Sequence, residues 1–523
     1  MKYSVYTDTD WLYPDTSHSN TTEVRLDAVR GGHVGAQILG DYLDSTAQIS
    51  FQWNQSNGPD ISFFQLLPVG VNENTSPTLM TTTDYESCRN FVTRKAPFYV
   101  YDGLKPIEHS FPAGIRFALY LCIEIPRNQI PGCYDGILQI KTGSIEVFIP
   151  LFCSVHNLCI PSLEEANLGM LNFFDYEGLA NQHQVKLFSP EYWDLFRAYV
   201  RAQITMRCTH ILLPPGEAVF HDGVLTGFDF SAAERAGQIA REEGAVKLCG
   251  GHLAHWHEWD DSEYYPHWDQ TIGITTHQGY LQLRLYFSQW SKVIQRNHWE
   301  HCMTQALADE PQTHNDHTYR VLAAICRKFL PNIPIIDAVE TTNLGGGIDI
   351  WVPKQDTYEK WRDTYEMLKA AGEEMWFYTC AFPAGSTMNR SMDLPLTVSR
   401  IVLWMGAYYR LSGFLHWGFN YYIGEDIWNQ ACCPHKGALL PAGDAHIVYP
   451  GTDGPWRSMR FEAQRSGAED YELFAQAITI APEETDHIIR SVCTDFHNYT
   501  HMGSVVKAAR SILLNLLEGN TNE

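Results

Sequence analysis

Apolar and polar positions alternate through the first 160 residues. Short apolar runs recur between turn signals: "AQISFQW", "ISFFQLLPVGV", "IRFALYLCIEIP", "GILQIKT" and "SIEVFIPLFCSV". Runs of this length and period predict strands, and several in succession without a long amphipathic helix predict a β-sandwich. "YDGILQIKTGSIEVFIPL" predicts a hairpin turning at Thr142–Gly143. "LCIPSLEEA" reads as the exit linker from this first domain, residues 1–160.

From about Asn167 the rhythm changes. Apolar strands begin to alternate with stretches of helical spacing. The strand candidates are "NLGMLNFF", "HILLPP", "VKLCGGHLA", "CMTQALAD", "PIIDAVE", "IDIWVP", "EMWFYTC" and "GFLHWGFN". Helices are expected after Ser189, near His277, near Asn315, at Thr357 and near Leu394. "DTYEKWRDTYEMLKAAGEE" offers Asp356 or Thr357 as a cap, and Gly372 to stop it. Eight such repeats predict a TIM-like (β/α)8 barrel within residues 161–523. No helix is legible between Asp337 and Val352, so one repeat is expected to be degenerate. Three helical stretches after Tyr422, "SGAEDYELFAQAI", "ETDHIIRSVCTDFH" and "SVVKAARSILLNLLE", are expected to close the barrel.

In such barrels chemistry collects where strands end. The fourth strand ends in "ALADEP", with Asp309 and Glu310 adjacent. Side chains alternate in a regular strand, so both face the mouth only at a bend, and Pro311 restricts Glu310 to extended or turn geometry. Close carboxylates raise one another's pKa, which separates a proton donor from an anion. A solvated loop capping the next helix is the ordinary alternative. The third strand ends in "GGHLAHWHEW", where His252, His255 and His257, with Glu258, could hold a metal. The spacing H-x2-H-x-H does not match a helical zinc motif, so contact of His252 and His255 with substrate hydroxyls is preferred, with ordinary structural roles as the alternative. Trp351, Trp376 and Trp417, with Tyr378 and Asn420, stand near other strand ends and could grip a sugar ring. Packing between strands and helices would explain any one of these Trp residues.

Composition narrows the partners. The 523 residues carry 37 basic and 61 acidic side chains, a net charge of −24. That excess disfavours nucleic acid and anionic membranes. Aromatics at 13 % suit a carbohydrate, as they also suit large cores. The first residues, "MKYSVYTDTDWLYPDTS", show no secretory signal, and no uncharged apolar run reaches 18 residues. Thirteen cysteines without a regular framework read as free thiols in the cytoplasm. "LGGGID" lacks the Lys of a phosphate loop, so no cofactor is expected, and no G-x-S-x-G elbow appears. "RFEAQRSGAEDYELF", with Arg460, Glu462, Arg465, Glu469 and Asp470, reads as a structural ion-pair network. Whether the chain forms a homo-oligomer is left open.

Three stretches carry a family resemblance: "ADEP", "EMWFYTCAFPAGSTMNRSMDLPLTVSRIVLWMGAYYRLSGFLHWGFNYY" and "GDAHIVYPGTDGPWRSMRFEAQRSGAEDYELF". Together with the order of the domains they resemble glycoside hydrolase family 123. The resemblance implies a retaining exo-β-N-acetylgalactosaminidase in which the sugar's own 2-acetamido oxygen attacks the anomeric carbon. It implies that Asp309 orients the acetamido N–H, that Glu310 is the acid/base, and that a Tyr, here Tyr378, holds the acetamido oxygen. Asn389 falls in the second stretch and joins the substrate-binding candidates. One departure is plain: "GFNYYIGEDIW" delays to Trp428 a Trp that in the family follows soon after the Asn. A β-GlcNAc specificity and a non-catalytic glycan-binding protein are the competing readings.

Overall fold

The computed structural model is described over residues 2–41, 46–112, 116–143 and 145–521. The chain packs into two compact units. One comprises 1–167, 381–409 and 420–523, and the other 168–380 and 410–419.

The first unit is β-rich. Seven strands form one sheet in the order Lys2–Thr7, His33–Asp41, Arg116–Glu124, Asp60–Val71, Phe98–Ile107, Pro455–Ser458 and Tyr449–Pro450. Five form another: Val24–Arg30, Ile145–Cys159, Gly132–Thr142, Thr46–Trp53 and Ser110–Pro112. The expected hairpin is present, with Thr142 opposite Ile145. Along Ile145–Cys159 every second residue from Ile149 to Val155 is buried, as a strand with one covered face requires. Val5, Ile38, Leu119 and Leu121 from the first sheet share one core with Ala28, Ile49, Leu138 and Leu151 from the second.

The sequence places its boundary at 160/161, whereas packing assigns the late segments to this first unit. Backbone pairing is one reason, since Arg457 and Ser458 pair with Leu104 and Gly103. The helix Met459–Ile480 is another. It is buried almost throughout, charges included. Arg460 meets Asp102 at 2.9 Å, Asp470 meets Arg400 at 2.6 Å and Arg510 at 2.9 Å, and His33 meets Glu469 at 2.8 Å. Buried charges persist only when paired in this way. A cavity of about 320 Å³ lies beside this network, lined by Asp8, His33, Arg400, Asp470 and Arg510 among others.

The second unit holds eight parallel strands: Gly169–Asn172, His210–Leu213, Lys247–Gly250, Met303–Gln305, Ile336–Val339, Ile350–Pro353, Glu374–Thr379 and Gly413–His416. They run round in chain order, and the last pairs with the first. Between the fourth and fifth strands one bridge, Gln305 to Ile335, nearly closes the barrel. Ser189 caps the helix Pro190–Thr205 and Thr276 caps His277–Arg296, each by accepting a backbone N–H. Residues 340–349 contain no helix, matching the degenerate repeat. The "DTYEKWRDTYEMLKAAG" stretch breaks at Trp361 into Gln355–Lys360 and Arg362–Ala370, and Gly372 ends it with φ +101°.

Candidate active site

The fourth strand ends at Gln305, but its chain runs on toward the mouth. Ala306 N–H donates to Gly250 O at 3.0 Å, and Ala308 bridges Ala254. The reversal then falls on Glu310, whose φ is +45°. A left-handed glutamate costs about 1–2 kcal/mol. The bend therefore sits at Glu310 itself and not in the extended geometry that Pro311 usually imposes on its neighbour. The chain bends between the two acids, where an unbroken strand would point them to opposite faces.

Asp309 is exposed to water while protein surrounds it closely, as happens in a concave mouth. Burial raises its pKa, opposed by His252. Glu310 is raised to about 7, first by burial, then by the charge of Asp309, against the lowering hydrogen bond from Tyr378. His252 favours the Asp309 anion, and that anion disfavours ionisation of Glu310. Asp309 thus ionises first and Glu310 keeps its proton.

Each acid has its own support. His252 Nε2 lies 3.1 Å from Asp337 Oδ1. Burial alone would lower the pKa of His252, but Asp337 and Asp309 outweigh it and the pKa rises. Asp337 is fixed by Leu307 N–H at 2.9 Å and by the Tyr319 hydroxyl at 2.5 Å. On the other side Tyr378 donates to Glu310, and its hydroxyl lies 3.2 Å from Glu340. Lys354 pairs with Glu340, and Thr357 Oγ1 donates to it at 3.0 Å. Tyr264 donates at 3.1 Å to Asn315 Oδ1, which also accepts the Gln312 N–H at 2.7 Å in the loop after Pro311.

The sequence candidates separate by position. Asp309, Glu310, Tyr378 and His252 come together. Trp417, half-buried, directly follows the eighth strand and lies against His416. His255 sits on a two-residue ribbon, Ala254–His255 with Tyr265–Pro266, and stacks on His267 at 4.9 Å. Burial and His257 lower its pKa, so it is a neutral imidazole at pH 7. Trp351 is fully buried, donating to Glu373 at 3.0 Å and packing on Tyr365. Trp376 shares a face with Tyr378 but lies two residues deeper, about 7 Å. There it meets Gly169, Gly413 and His210. Asn389 and Asn420 belong to the other unit. Asn389 contacts Asp444 at 3.4 Å, and Asn420 bridges His446.

Sequence reasoning missed Asp337, Glu340 and Lys354. The signal was present, since "PIIDAVE" ends on Glu340 and Lys354 directly follows "IDIWVP". Glu340 and Lys354 are charged residues closing apolar strands, the same sign that singled out Asp309–Glu310, while Asp337 is a lone acid inside one.

The family model for the glycoside hydrolase 123 catalytic domain matches residues 174–477. Among solved structures, a family 123 glycoside hydrolase from Clostridium perfringens, analysed for the details of glycolipid glycan hydrolysis, is similar with TM-score 0.71. It is 11 % identical, with 99 % of this chain and 98 % of that one covered. A β-glucuronidase from Parabacteroides merdae aligns with TM-score 0.31 and 10 % identity over 80 % of this chain and 49 % of that one, too weak to carry an argument. No curated protein matches. With 304 consecutive residues matched, from 174 to 477, this chain belongs to glycoside hydrolase family 123.

Proposed function

We propose that the protein is a retaining exo-β-N-acetylgalactosaminidase acting by substrate-assisted catalysis, with the barrel mouth as its active site. One observation carries this reading: two acids stand side by side at the fourth strand end, Asp309 favoured as the anion by His252, and Glu310 met by the Tyr378 hydroxyl and raised to about 7 by burial and by Asp309. Adjacent acids cannot stand on opposite faces of a sugar ring, as two-carboxylate glycoside hydrolysis requires. They suit a substrate that brings its own nucleophile. The other carboxylates nearby are engaged, Asp337 by Leu307 N–H and the Tyr319 hydroxyl, and Glu340 by Lys354 and Thr357.

In this mechanism Asp309, ionised, accepts the acetamido N–H and turns the acetamido oxygen toward the anomeric carbon. Glu310 gives its proton to the glycosidic oxygen as that bond breaks and the oxazolinium ring forms. Glu310, now anionic, then takes a proton from water, which opens the ring with net retention. The Tyr378 hydroxyl, beside Glu310, is assigned to the acetamido oxygen once the sugar is bound. Trp417 and His252 are assigned to the sugar's face and hydroxyl rim. The two sheets with one core act as a β-sandwich, and the eight strands with their helices as a TIM-type barrel within residues 161–523. Thirteen cysteines without a regular framework suit a cytoplasmic enzyme.

Replacing Glu310 tests the assignment. Glu310→Gln is expected to lose about 10²–10⁴-fold in rate on an aryl β-GalNAc with a poor leaving group. An activated leaving group should recover much of that loss. Near-normal hydrolysis of the poor substrate removes Glu310 from the mechanism.

A further inference from the structure

Glu340 touches the residue that follows Glu310 and the tyrosine that donates to Glu310. Its backbone N–H donates to Pro311 O at 3.0 Å, which ties the strand end Ile336–Val339 to the residue after Glu310. Its carboxylate lies 3.2 Å from the Tyr378 hydroxyl, which itself donates to Glu310. Glu340 is held in turn by Lys354 and by Thr357 Oγ1 at 3.0 Å. The contacts form one chain from Lys354 through Glu340 and Tyr378 to Glu310, each link from a different strand end.

We propose that Glu340 and Lys354 are positioning residues that hold Tyr378 against Glu310 and set how firmly Glu310 keeps its proton. This rests on the reading of Glu310 as the acid. Structural support alone does not call for a buried ion pair here, because an apolar pair of similar size would pack as well without the desolvation cost. A charged pair facing an acid does what an apolar pair cannot, since it adjusts the field at the carboxyl. The two charges act on Glu310 in opposite senses, Glu340 raising its pKa and Lys354 lowering it. The other groups facing this chain of contacts are Asp309 on the loop of Glu310, Cys380 just after the seventh strand, Tyr264 from the loop after the third, and Asp356 beyond Lys354. None of these changes identity in the substitutions below.

The sign of each effect is therefore distinct. Glu340→Gln removes a negative charge facing Glu310, so Glu310 releases its proton more easily. The alkaline limb of kcat/KM should move to lower pH by about one unit. Lys354→Met removes the opposing positive charge, so the limb should move to higher pH. Both shifts should be plain on a poor leaving group, whose departure needs the proton of Glu310, and shrink on an activated one. Lys354→Arg keeps the charge and should keep the wild-type limb, which also serves if Lys354→Met does not fold. General loosening of the mouth would lower rates without sending the two limbs apart. Limbs that stay in place, or move in the same direction, overturn the proposal. Glu310→Gln run beside them separates the two failures. If it loses rate on the poor substrate while the other limbs stay put, the acid assignment stands and only the role of Glu340 and Lys354 falls. If it keeps that rate, both fall.

Discussion

Glu310 is where the conformation of one residue and the chemistry of the site meet. Its left-handed backbone turns the chain between the two acids, and the crowding that follows lifts its pKa to about 7 from an ordinary 4.5. Stability should register this as well. In the unfolded chain the glutamate ionises near 4.5, while the folded chain keeps the proton until about 7. Between those values the native state binds more protons, so this group lowers stability as pH rises. Glu310→Gln removes the contribution and should raise the melting temperature relative to wild type more at pH 8 than at pH 4.5. An equal effect at both pH values contradicts the raised pKa. The two acids were legible in the sequence because "ADEP" closes an apolar strand. The bend was legible too, since Pro311 allows extended or turn geometry there, but its left-handed sense was not, because it depends on the tertiary contacts at Pro311 O and Tyr378.

At the scale of elements, the strands were legible because each is a short apolar run between turn signals. What the pattern does not encode is depth along a strand. Trp376 and Tyr378 share a face by period two, yet only Tyr378 reaches Glu310. Trp376 fills the space that Gly169 and Gly413 leave at their strand starts, where an added Cβ would stand 2.1 and 2.0 Å from its ring. Gly169→Ala should therefore destabilise by about 1–3 kcal/mol through overpacking. Urea unfolding would read this, and kcat/KM per folded molecule should stay near wild type. A fully stable variant would remove Trp376 from the barrel floor. Trp351 is likewise satisfied inside the unit by Glu373 and Tyr365. The helix Met459–Ile480 was legible as a structural ion-pair network, but its depth was not, because the partners Asp102, Glu124, His33 and Arg400 lie far off in sequence.

At the scale of the whole molecule, a net charge of −24, with Tyr378 and Trp417 near the strand ends, agrees with a carbohydrate substrate and with membership of glycoside hydrolase family 123. No helix among the described residues is long and apolar enough to cross a membrane. The central claim is that the substrate supplies its own nucleophile, held by one acid and cleaved with the proton of its neighbour. An oriented intramolecular group is worth an effective concentration of about 10⁵–10⁸ M, so its removal should be felt in full. The direct measurement is the rate on an aryl β-N-acetylgalactosaminide against the matching aryl β-galactoside, which lacks only the acetamido group, with a thiazoline mimic of the oxazolinium intermediate as inhibitor. The account predicts turnover of the first, orders of magnitude less of the second, and competitive inhibition by the thiazoline. Comparable turnover of the galactoside, untouched by the thiazoline, would contradict it.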